Sequence, residues 1–379
     1  METLARLRPL LPTFGITRVM GQEGLAEVKI PVSIGCRPNS RIISTSQGKG
    51  ITRELADISA IMESIENYHA ERIPPPAITA SVVELRRASR RFIHPASLAA
   101  LPGASFRNDD APIGWIELQH LASGETVLVP RTYLSMDTTQ PHTEVATRGL
   151  LATTNGLASG NTLEEALVHG IYELIERDSQ YHYERLSPAE QSHRRVNMAS
   201  VRGLSSHLDL LISLVEEAGM VMGIDALHGK LEVPCFMARI RSKGAVDSIP
   251  GKGRGAHPVP EIALSRAITE AVQCRITFIS GSRDDAFPHL YNRQAPAGGG
   301  PELVEDIACP LHMADVPRPP RFESFADTLS WTLALLERHD LTETCFFNHQ
   351  RPEYGNVPVV SVVCPGLRMV IPENMKTER

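Results

Sequence analysis

Pairs of oxygen-bearing side chains, three residues apart, recur at three places in this sequence. The pairs are Glu63 with Glu66, Glu173 with Glu176, and Glu270 with Gln273. Residues three apart lie on the same side of a helix, so each pair would present its two side chains together. Carboxylate and amide oxygens are the ligands that Mg²⁺ takes, usually alongside phosphate oxygens of a substrate. The pairs therefore indicate a site for Mg²⁺ and a phosphate-bearing ligand, with a solvated acidic face as the simpler alternative for any one pair.

Each pair follows a glycine-bearing segment at the same distance, which makes the three stretches copies of one unit. Aligned on Gly50, Gly160 and His257, they carry alanine six residues later, a small residue ten later and glutamate thirteen later. The small residues are Ala56, Ala60, Ala166, Gly170, Ala263 and Ala267. They would allow close helix packing, so a duplication retained for packing alone is one explanation. The identical offsets in three copies favour the other, in which three helices direct carboxylates at one charged ligand.

The second copy has the clearest helix signals. Asn161 or the threonine after it can cap the N-terminus, and an apolar stripe at three- and four-residue spacing follows. Around a helix, Glu165 lies about 20° from Glu176 and about 80° from Glu173. Three carboxylates therefore share one side of this helix, and their mutual repulsion requires either solvent or a cation.

Two segments rich in glycine and lysine precede helices and could bind phosphate. They are 48–50, which reads Gly-Lys-Gly, and 251–255, which reads Gly-Lys-Gly-Arg-Gly. Glycine lets backbone N–H groups approach an anion and lysine adds charge, but the same segments could be tight turns. Neither has the spacing of a Walker A loop. Arg177 and Arg275 follow the second and third side-chain pairs, where they could reach phosphate oxygens or form ordinary ion pairs.

Helices and strands must position these residues, and the periodicity of the chain predicts both. Helices are predicted at 52–71, 161–178, 206–217 and 327–338, and the arginine-rich segment 77–101 is predicted to be a helix with some loop. Strands are predicted at 30–34, 41–44, 114–119, 126–129, 221–226, 235–240 and 359–363. The mixture predicts an α/β (mixed α+β) fold. We expect an N-terminal arm with short strands at 1–43, a main domain at 44–372 with an irregular excursion at 281–321, and a tail at 373–379.

The composition excludes several classes of protein. With 379 residues, 42% hydrophobic and 22% charged, the chain is that of an ordinary globular protein. Its net charge of -6 gives no reason to expect a nucleic-acid partner, and no apolar run is long enough to cross a membrane. The six cysteines lie far apart without a C-x-x-C pair, which argues against a zinc site or a disulfide framework. We therefore expect a cytoplasmic protein.

The same residues resemble the YcaO family. The resemblance rests on S-x-x-x-E-x-x-E at 59–66 behind Gly-Lys-Gly, N-G-L-A-x-G-N-T-x-x-E-A with E-x-x-E-R at 155–177, and E-A-x-Q-x-R at 270–275. It extends over about residues 44–372, nearly the whole chain. It implies the family's own α/β architecture, usually dimeric, in which acidic residues of several helices hold ATP and Mg²⁺. The main domain would then be the catalytic one.

The resemblance also implies roles for individual residues. Mg²⁺ would be bound by Glu63, Glu66, Glu165, Glu173 and Glu176. ATP would be contacted by Asn161, Arg177, Gln273 and Arg275, together with Lys49 and Ser59. The implied reaction is activation of a peptide backbone amide: ATP phosphorylates the amide oxygen after, or together with, attack by a sulfur or oxygen nucleophile, and phosphate then leaves. The resemblance assigns no catalytic side chain beyond these ligands.

The C-terminus bears on which product is formed. Azoline-forming members of the family share a P-x-P-x-x-P ending, whereas this chain carries Pro365-Gly366-Leu367, which resembles an element of thioamide-forming members that work with a TfuA-type partner. We therefore expect a homodimeric enzyme that thioamidates a peptide or protein with sulfide from a separate TfuA-like protein. The alternatives are an azoline-forming cyclodehydratase acting on Cys, Ser or Thr, and a non-catalytic nucleotide-binding scaffold tied to ribosomal-protein modification.

Overall fold

The computed structural model describes residues 2–371, apart from 26, 105, 107, 140–146, 244–250 and 285–309. The strands of this part of the chain are β1 Arg18–Gly21, β2 Val32–Cys36, β3 Thr45–Lys49, β4 Ile78–Ala80, β5 Ile113–His120, β6 Thr126–Pro130, β7 Leu157–Ser159, β8 Met220–Ala226, β9 Cys235–Ser242, β10 Gly251–Ala256, β11 Cys345–Asn348 and β12 Val359–Val363. The helices are α1 Glu2–Leu7, α2 Arg53–Ala70, α3 Val82–Arg87, α4 Arg131–Leu134, α5 Leu163–Tyr183, α6 Pro188–Ser192, α7 Ser206–Glu217, α8 Pro260–Ser280 and α9 Phe325–Arg338.

The chain forms two compact units, each assembled from separate stretches of sequence. The first unit comprises Met1–Asn39, Ile43–Ser64 and Ser179–Arg321. The second unit comprises Ser40–Ile42, Ile65–Asp178 and Phe322–Arg379. The boundaries expected after residues 43 and 372 remain a prediction about domains; in the structure β2, which precedes residue 43, pairs with β3, which follows it.

Two three-stranded antiparallel sheets belong to the first unit. One has the order β1-β2-β3 and the other the order β10-β9-β8. Helices α7 and α8 contribute to one hydrophobic core with the second sheet, and the alanines on one face of α8, among them Ala263 and Ala267, are fully buried there. Removal of this apolar surface from water is the main source of the unit's stability.

One antiparallel sheet of six strands forms the frame of the second unit. Its order is β4-β5-β11-β12-β7, with β6 paired to β5. The predicted hairpin is confirmed, and Gln119 lies opposite Thr126 at its closed end. Helix α5 packs on this sheet so closely that a Cβ added to Gly170 would lie 2.8 Å from Val362 Cγ2.

Most of the predicted helices and strands are confirmed. Helix α7 and strand β12 occupy the predicted 206–217 and 359–363, and α2, α9, β8 and β9 each match a predicted element within two residues at either end. Helix α5 extends beyond its predicted end to Tyr183. The α/β (mixed α+β) class predicted from the sequence is thus present in the described residues.

Two local predictions are wrong. No strand forms at 41–44, because the strand that pairs with β2 begins at Thr45. The segment 77–101 is not mainly helical: it contains β4 and the short α3, which a capping box of Ser81 and Glu84 starts and after which Ser89 adopts a φ of 50°. Most of the excursion expected at 281–321 lies outside the described residues.

The two glycine–lysine segments are strands and not phosphate-binding turns. Gly48 and Lys49 lie in β3, and 251–255 lies in β10. A Cβ added to Gly48 would lie 2.1 Å from both Ala56 O and Ala60 N, closer than any real contact. The corresponding Cβ at Gly255 would lie 2.3 Å from Ala263 O. The glycines therefore let each helix lie directly on its strand, which also explains the small residues of the repeat.

No helix in the described ranges is long and apolar enough to cross a membrane. This holds also for α5 and α8, which have 21 residues each.

The close approach of β3 to α2 predicts a large cost for a methyl group at Gly48. We expect Gly48→Ala to lower the free energy of unfolding by about 2 kcal/mol or more, because the strand or helix backbone must move away. Gly229→Ala is the matched control, since a Cβ there meets nothing within 4 Å. Urea denaturation of both variants measures the difference; equal midpoints would show that the contact is not tight.

Candidate functional site

A cluster of two carboxylates and one guanidinium lies on α5 in the second unit. Arg177 donates from Nη2 to Glu173 Oε1 at 3.2 Å, and its Nη1 lies 3.2 Å from Glu176 Oε1. The Glu176 side chain is 9% exposed, and those of Glu173 and Arg177 are 24% and 25% exposed. Within this cluster negative charge exceeds positive charge, in a place where water only partly screens it.

Glu173 is held at a specific point beside the sheet. The backbone N–H of Gly156 donates to Glu173 Oε2 at 3.3 Å. Burial raises the pKa of the Glu173 carboxyl; neighbouring Arg177 opposes this rise and Glu176 adds to it. A carboxyl in this state gains from a nearby cation, because a positive charge would offset the loss of hydration.

Glu66 of α2 contacts β7 in the same unit. Ser159 Oγ donates to Glu66 Oε1 at 2.6 Å. Glu63, three residues earlier on the same helix, is half-buried. The hydrogen bond to Ser159 fixes the position of the Glu66 carboxylate beside β7.

Asn161 and Glu165 lie at the N-terminus of α5, where the structure gives them a capping role. The backbone N–H of Asn161 donates to Glu165 Oε2 at 2.8 Å, and the backbone N–H of Glu165 donates to Thr162 Oγ1 at 3.2 Å. These bonds satisfy N–H groups that have no partner inside a helix. Helix capping therefore accounts for Glu165 without a metal, and its role as a Mg²⁺ ligand stays a prediction.

The third copy of the repeat meets the first in the first unit. Lys49 Nζ of β3 lies 2.6 Å from Glu270 Oε2 of α8. Glu270 Oε1 also accepts from the backbone N–H of Arg254 at 3.3 Å, and Gln273 Nε2 donates to Gln47 O at 2.7 Å. Lys49 of β3 and Gln273 of α8, two of the predicted ATP contacts, thus both lie where β3 and α8 contact each other.

Arg275 and Ser59 lie elsewhere. Residues that are two positions apart in a helix point in directions about 200° apart. Arg275 therefore points away from the side of α8 that carries Gln273. Its Nη2 lies 3.3 Å from Ser242 Oγ and 3.4 Å from Glu27 Oε2, and the residue is 5% exposed. Ser59 is half-buried on α2. Contacts of either side chain with ATP remain predictions.

Three polar partners were not among the predicted site residues. Glu270 could have been found, because it occupies the glutamate position of the third repeat. Ser159 and the carbonyl of Gln47 carried no signal in the sequence, because nothing in a short strand tells which hydroxyl or carbonyl a distant helix will reach.

The C-terminal segment that carries Pro365-Gly366-Leu367 is bound to both ends of the motif at 155–178. The backbone N–H of Arg368 donates to Asp178 Oδ1 at 2.8 Å. Asn155 Nδ2 lies 3.2 Å from Met369 Sδ. Asp178 directly follows Arg177, so this hydrogen bond holds the C-terminal segment next to the carboxylate cluster of the second unit.

The described residues contain no group of three His, Cys, Asp or Glu side chains that could hold a metal ion by themselves. Mg²⁺ usually binds one or two protein carboxylates and completes its shell with water and substrate phosphates. Glu173 and Glu176 are a suitable pair of this kind. The donor set therefore fits a metal that arrives together with a nucleotide.

Comparison with known proteins places this geometry in a family. The sequence model of the YcaO family, described as a cyclodehydratase that binds ATP and Mg²⁺, matches residues 47–368. A protein of Rhizobium leguminosarum bv. trifolii, described as an uncharacterized protein in the tfuA 3′ region, is 33% identical over 98% of this chain and 88% of its own length. An uncharacterized protein of Mycobacterium tuberculosis (strain CDC 1551 / Oshkosh) is 31% identical over 99% of this chain and 83% of its own.

Solved structures share the fold. The YcaO protein from Methanopyrus kandleri, bound with AMPPCP and Mg²⁺, has a TM-score of 0.71 at 22% identity, covering 98% of this chain and 94% of that one. A heterocyclase in complex with substrate and cofactor has a TM-score of 0.75 at 20% identity. The match covers 95% of this chain and 52% of the heterocyclase chain, so this chain spans about half of the heterocyclase. The predicted fold class and the predicted cofactors, ATP and Mg²⁺, are confirmed at the level of the family. On the family match and the full-length relatives, this chain belongs to the YcaO family.

Proposed function

We propose that this protein uses ATP and Mg²⁺ to convert a backbone amide of a peptide or protein into a thioamide: sulfide attacks the carbonyl carbon, ATP phosphorylates the amide oxygen, and phosphate leaves. A TfuA-like protein supplies the sulfide. The observation that carries the proposal is the cluster of Glu173, Glu176 and Arg177, fastened beside the C-terminal segment in a chain of an ATP- and Mg²⁺-binding family. The enzyme acts in the cytoplasm as a homodimer.

In the second unit, Glu66, Glu173 and Glu176 would hold Mg²⁺, which when bound neutralises charge on the phosphates. Arg177 would contact the phosphates through its guanidinium, and Asn161 would contact another part of the nucleotide. For the first unit, taken by itself, Lys49 and Gln273 are the proposed nucleotide contacts and Glu63 is a proposed Mg²⁺ ligand.

The chemistry follows from the poor leaving ability of an amide oxygen. Hydrosulfide adds to the carbonyl carbon, and the oxygen takes the γ-phosphoryl group of ATP while ADP leaves. The carbon–oxygen bond then breaks, phosphate departs, sulfur loses its proton and the carbon–sulfur double bond forms. Fixed positive groups such as Arg177 stabilise the charge that develops on the transferring phosphoryl group.

Two observations favour a thioamide over an azoline. The chain carries Pro365-Gly366-Leu367, and the backbone N–H of the next residue, Arg368, is hydrogen-bonded to Asp178. The Rhizobium relative is described by its place next to tfuA. The family description and the heterocyclase structure make cyclodehydration the second candidate, with Cys, Ser or Thr of a ribosomally made precursor peptide as nucleophile.

The two reactions change the mass of the substrate in opposite directions. We expect a peptide incubated with the enzyme, ATP, Mg²⁺, sulfide and a TfuA-like protein to gain the mass difference between sulfur and oxygen for each amide modified. Mass spectrometry of the peptide makes the measurement, with omission of ATP as the control. Loss of one water per site would establish cyclodehydration instead. If the protein binds ATP but no tested peptide changes in mass, the result would favour the non-catalytic scaffold.

Removal of one charge from the carboxylate cluster tests the metal assignment. We expect Glu173→Gln to weaken Mg²⁺-dependent binding of a non-hydrolysable ATP analogue at least tenfold, since a charged Mg²⁺ ligand becomes neutral. Glu164→Gln is the matched control, because Glu164 is an exposed glutamate in the first turn of the same helix. Isothermal titration calorimetry with and without Mg²⁺ gives both affinities. If the two variants bind alike, Glu173 is not a metal ligand.

A further inference from the structure

Ser159 is a buried residue that contacts three other elements of the second unit. It is the last residue of β7, is 5% exposed, and lies opposite Val359 of β12. Its hydroxyl contacts Glu66 of α2, and its carbonyl contacts His169 of α5. In the motif N-G-L-A-x-G-N-T it occupies the position x, so the resemblance to the family gives this residue no role.

The hydrogen bond between Ser159 and Glu66 has one possible direction. An ionised carboxylate only accepts, so Ser159 Oγ donates its proton to Glu66 Oε1, at 2.6 Å. Hydrogen bonds from a hydroxyl to a charged oxygen have this short length and are about twice as strong as those between neutral groups. Because Ser159 is almost completely buried, water competes little for its hydroxyl.

The backbone of Ser159 is itself fixed by a strand and by a helix. Every residue of β7 is paired with β12, and the N–H of Gly160 extends this pairing with a hydrogen bond to Pro358 O at 3.1 Å. From α5, His169 Nδ1 lies 3.4 Å from Ser159 O, and the ring nitrogen is the donor because a carbonyl only accepts. The hydroxyl of Ser159 therefore has a defined position before any ligand binds.

A glutamate that binds Mg²⁺ gains from being held in one orientation. Its side chain has several rotatable bonds, and ordering them costs conformational entropy. Mg²⁺ requires nearly ideal octahedral geometry, so a carboxylate that points in another direction binds it poorly. A hydrogen bond that orients the carboxylate before the metal arrives lowers this cost, and loss of such a bond typically weakens metal binding about 10- to 100-fold.

We propose that Ser159 is a positioning residue for Glu66, and that its hydroxyl sets the affinity of the site for Mg²⁺. The inference rests on the proposed function, in which Glu66 is a Mg²⁺ ligand. In this role Ser159 touches neither the metal nor the nucleotide and acts through the carboxylate that it orients. Its loss therefore raises the concentration of Mg²⁺ that nucleotide binding requires, and leaves the contacts that the nucleotide makes without metal unchanged.

Ser159→Ala removes the hydroxyl and keeps the strand backbone. Binding of a non-hydrolysable ATP analogue is measured by isothermal titration calorimetry over a series of Mg²⁺ concentrations. We expect half-maximal binding to require about tenfold more Mg²⁺ than in the unmodified protein, because Glu66 is no longer held. The affinity for the analogue without Mg²⁺ should be unchanged. A merely structural defect would instead weaken binding equally in both conditions.

Ser361→Ala is the matched control. Ser361 is a serine of the neighbouring β12, is 7% exposed, and its Oγ lies 2.8 Å from His349 Nε2. It lies opposite Leu157, so its side chain is on the same face of the sheet as that of Ser159. We expect this variant to require the same Mg²⁺ concentration as the unmodified protein. Thermal unfolding of both variants measures any loss of stability.

Glu66→Gln, alone and combined with Ser159→Ala, shows whether the serine acts through the glutamate. Glu66→Gln alone should raise the required Mg²⁺ concentration about tenfold or more, because a charged ligand becomes neutral. Adding Ser159→Ala should raise it by no more than about a further twofold, because the carboxylate that the serine orients is already gone. Effects that multiply in the double variant would be the mark of two independent sites.

Three results would overturn the inference while Glu66 stays a Mg²⁺ ligand. They are a Ser159→Ala variant that requires no more Mg²⁺ than Ser361→Ala, a loss of affinity that is equal with and without Mg²⁺, and a double variant in which the two effects multiply. If Glu66→Gln itself leaves the Mg²⁺ requirement unchanged, Glu66 is not a ligand, and both that assignment and the inference are wrong. No peptide is present in these measurements, so their outcome does not depend on which product the enzyme forms.

Discussion

The close contact between the glycine that directly follows a strand and an alanine of the next helix is the constraint on which the rest of this structure depends. A Cβ on Gly50 or on Gly160 would lie 2.6 Å from the backbone nitrogen of Ala56 or Ala166, the same distance in two copies of the repeat. Helix and strand are thereby held backbone to backbone. The glutamate seven residues beyond each alanine is then placed close to the strand. Glu173 accepts a hydrogen bond from the N–H of Gly156, directly before β7, and Glu270 accepts one from the N–H of Arg254 in β10.

The close helix–strand packing and the partial burial of the carboxylates therefore have the same structural cause. The same short helix–strand distance that excludes larger side chains also partly buries the carboxylates, and burial raises the pKa of Glu173. Partly buried carboxylates beside Arg177 are suited to a ligand that brings both metal and phosphate charge. A nucleotide with Mg²⁺ is such a ligand, and a solvated acidic surface would not need this degree of burial.

The sequence predicted helices and strands correctly where the local pattern is strong. It did not predict features that depend on contacts between residues far apart in the chain. Helix α7 and strand β12 were predicted at their observed bounds because their periodicity is clear. The segments at 48–50 and 251–255 were misread as turns, because glycine in a strand is uncommon and its cause, an alanine of the next helix, is not visible locally. The grouping of Glu173, Glu176 and Arg177 followed from helical spacing. The pairing of Lys49 with Glu270, 221 residues apart, did not.

If ATP activates the amide by phosphorylating its oxygen, that oxygen must leave in the phosphate. A substrate peptide is labelled with oxygen-18 at the reactive carbonyl and converted by the enzyme with ATP, Mg²⁺, sulfide and a TfuA-like protein. We expect the inorganic phosphate released to carry the label, in an amount equal to the product formed. Product formation with unlabelled phosphate, and with the label released as water, would contradict it.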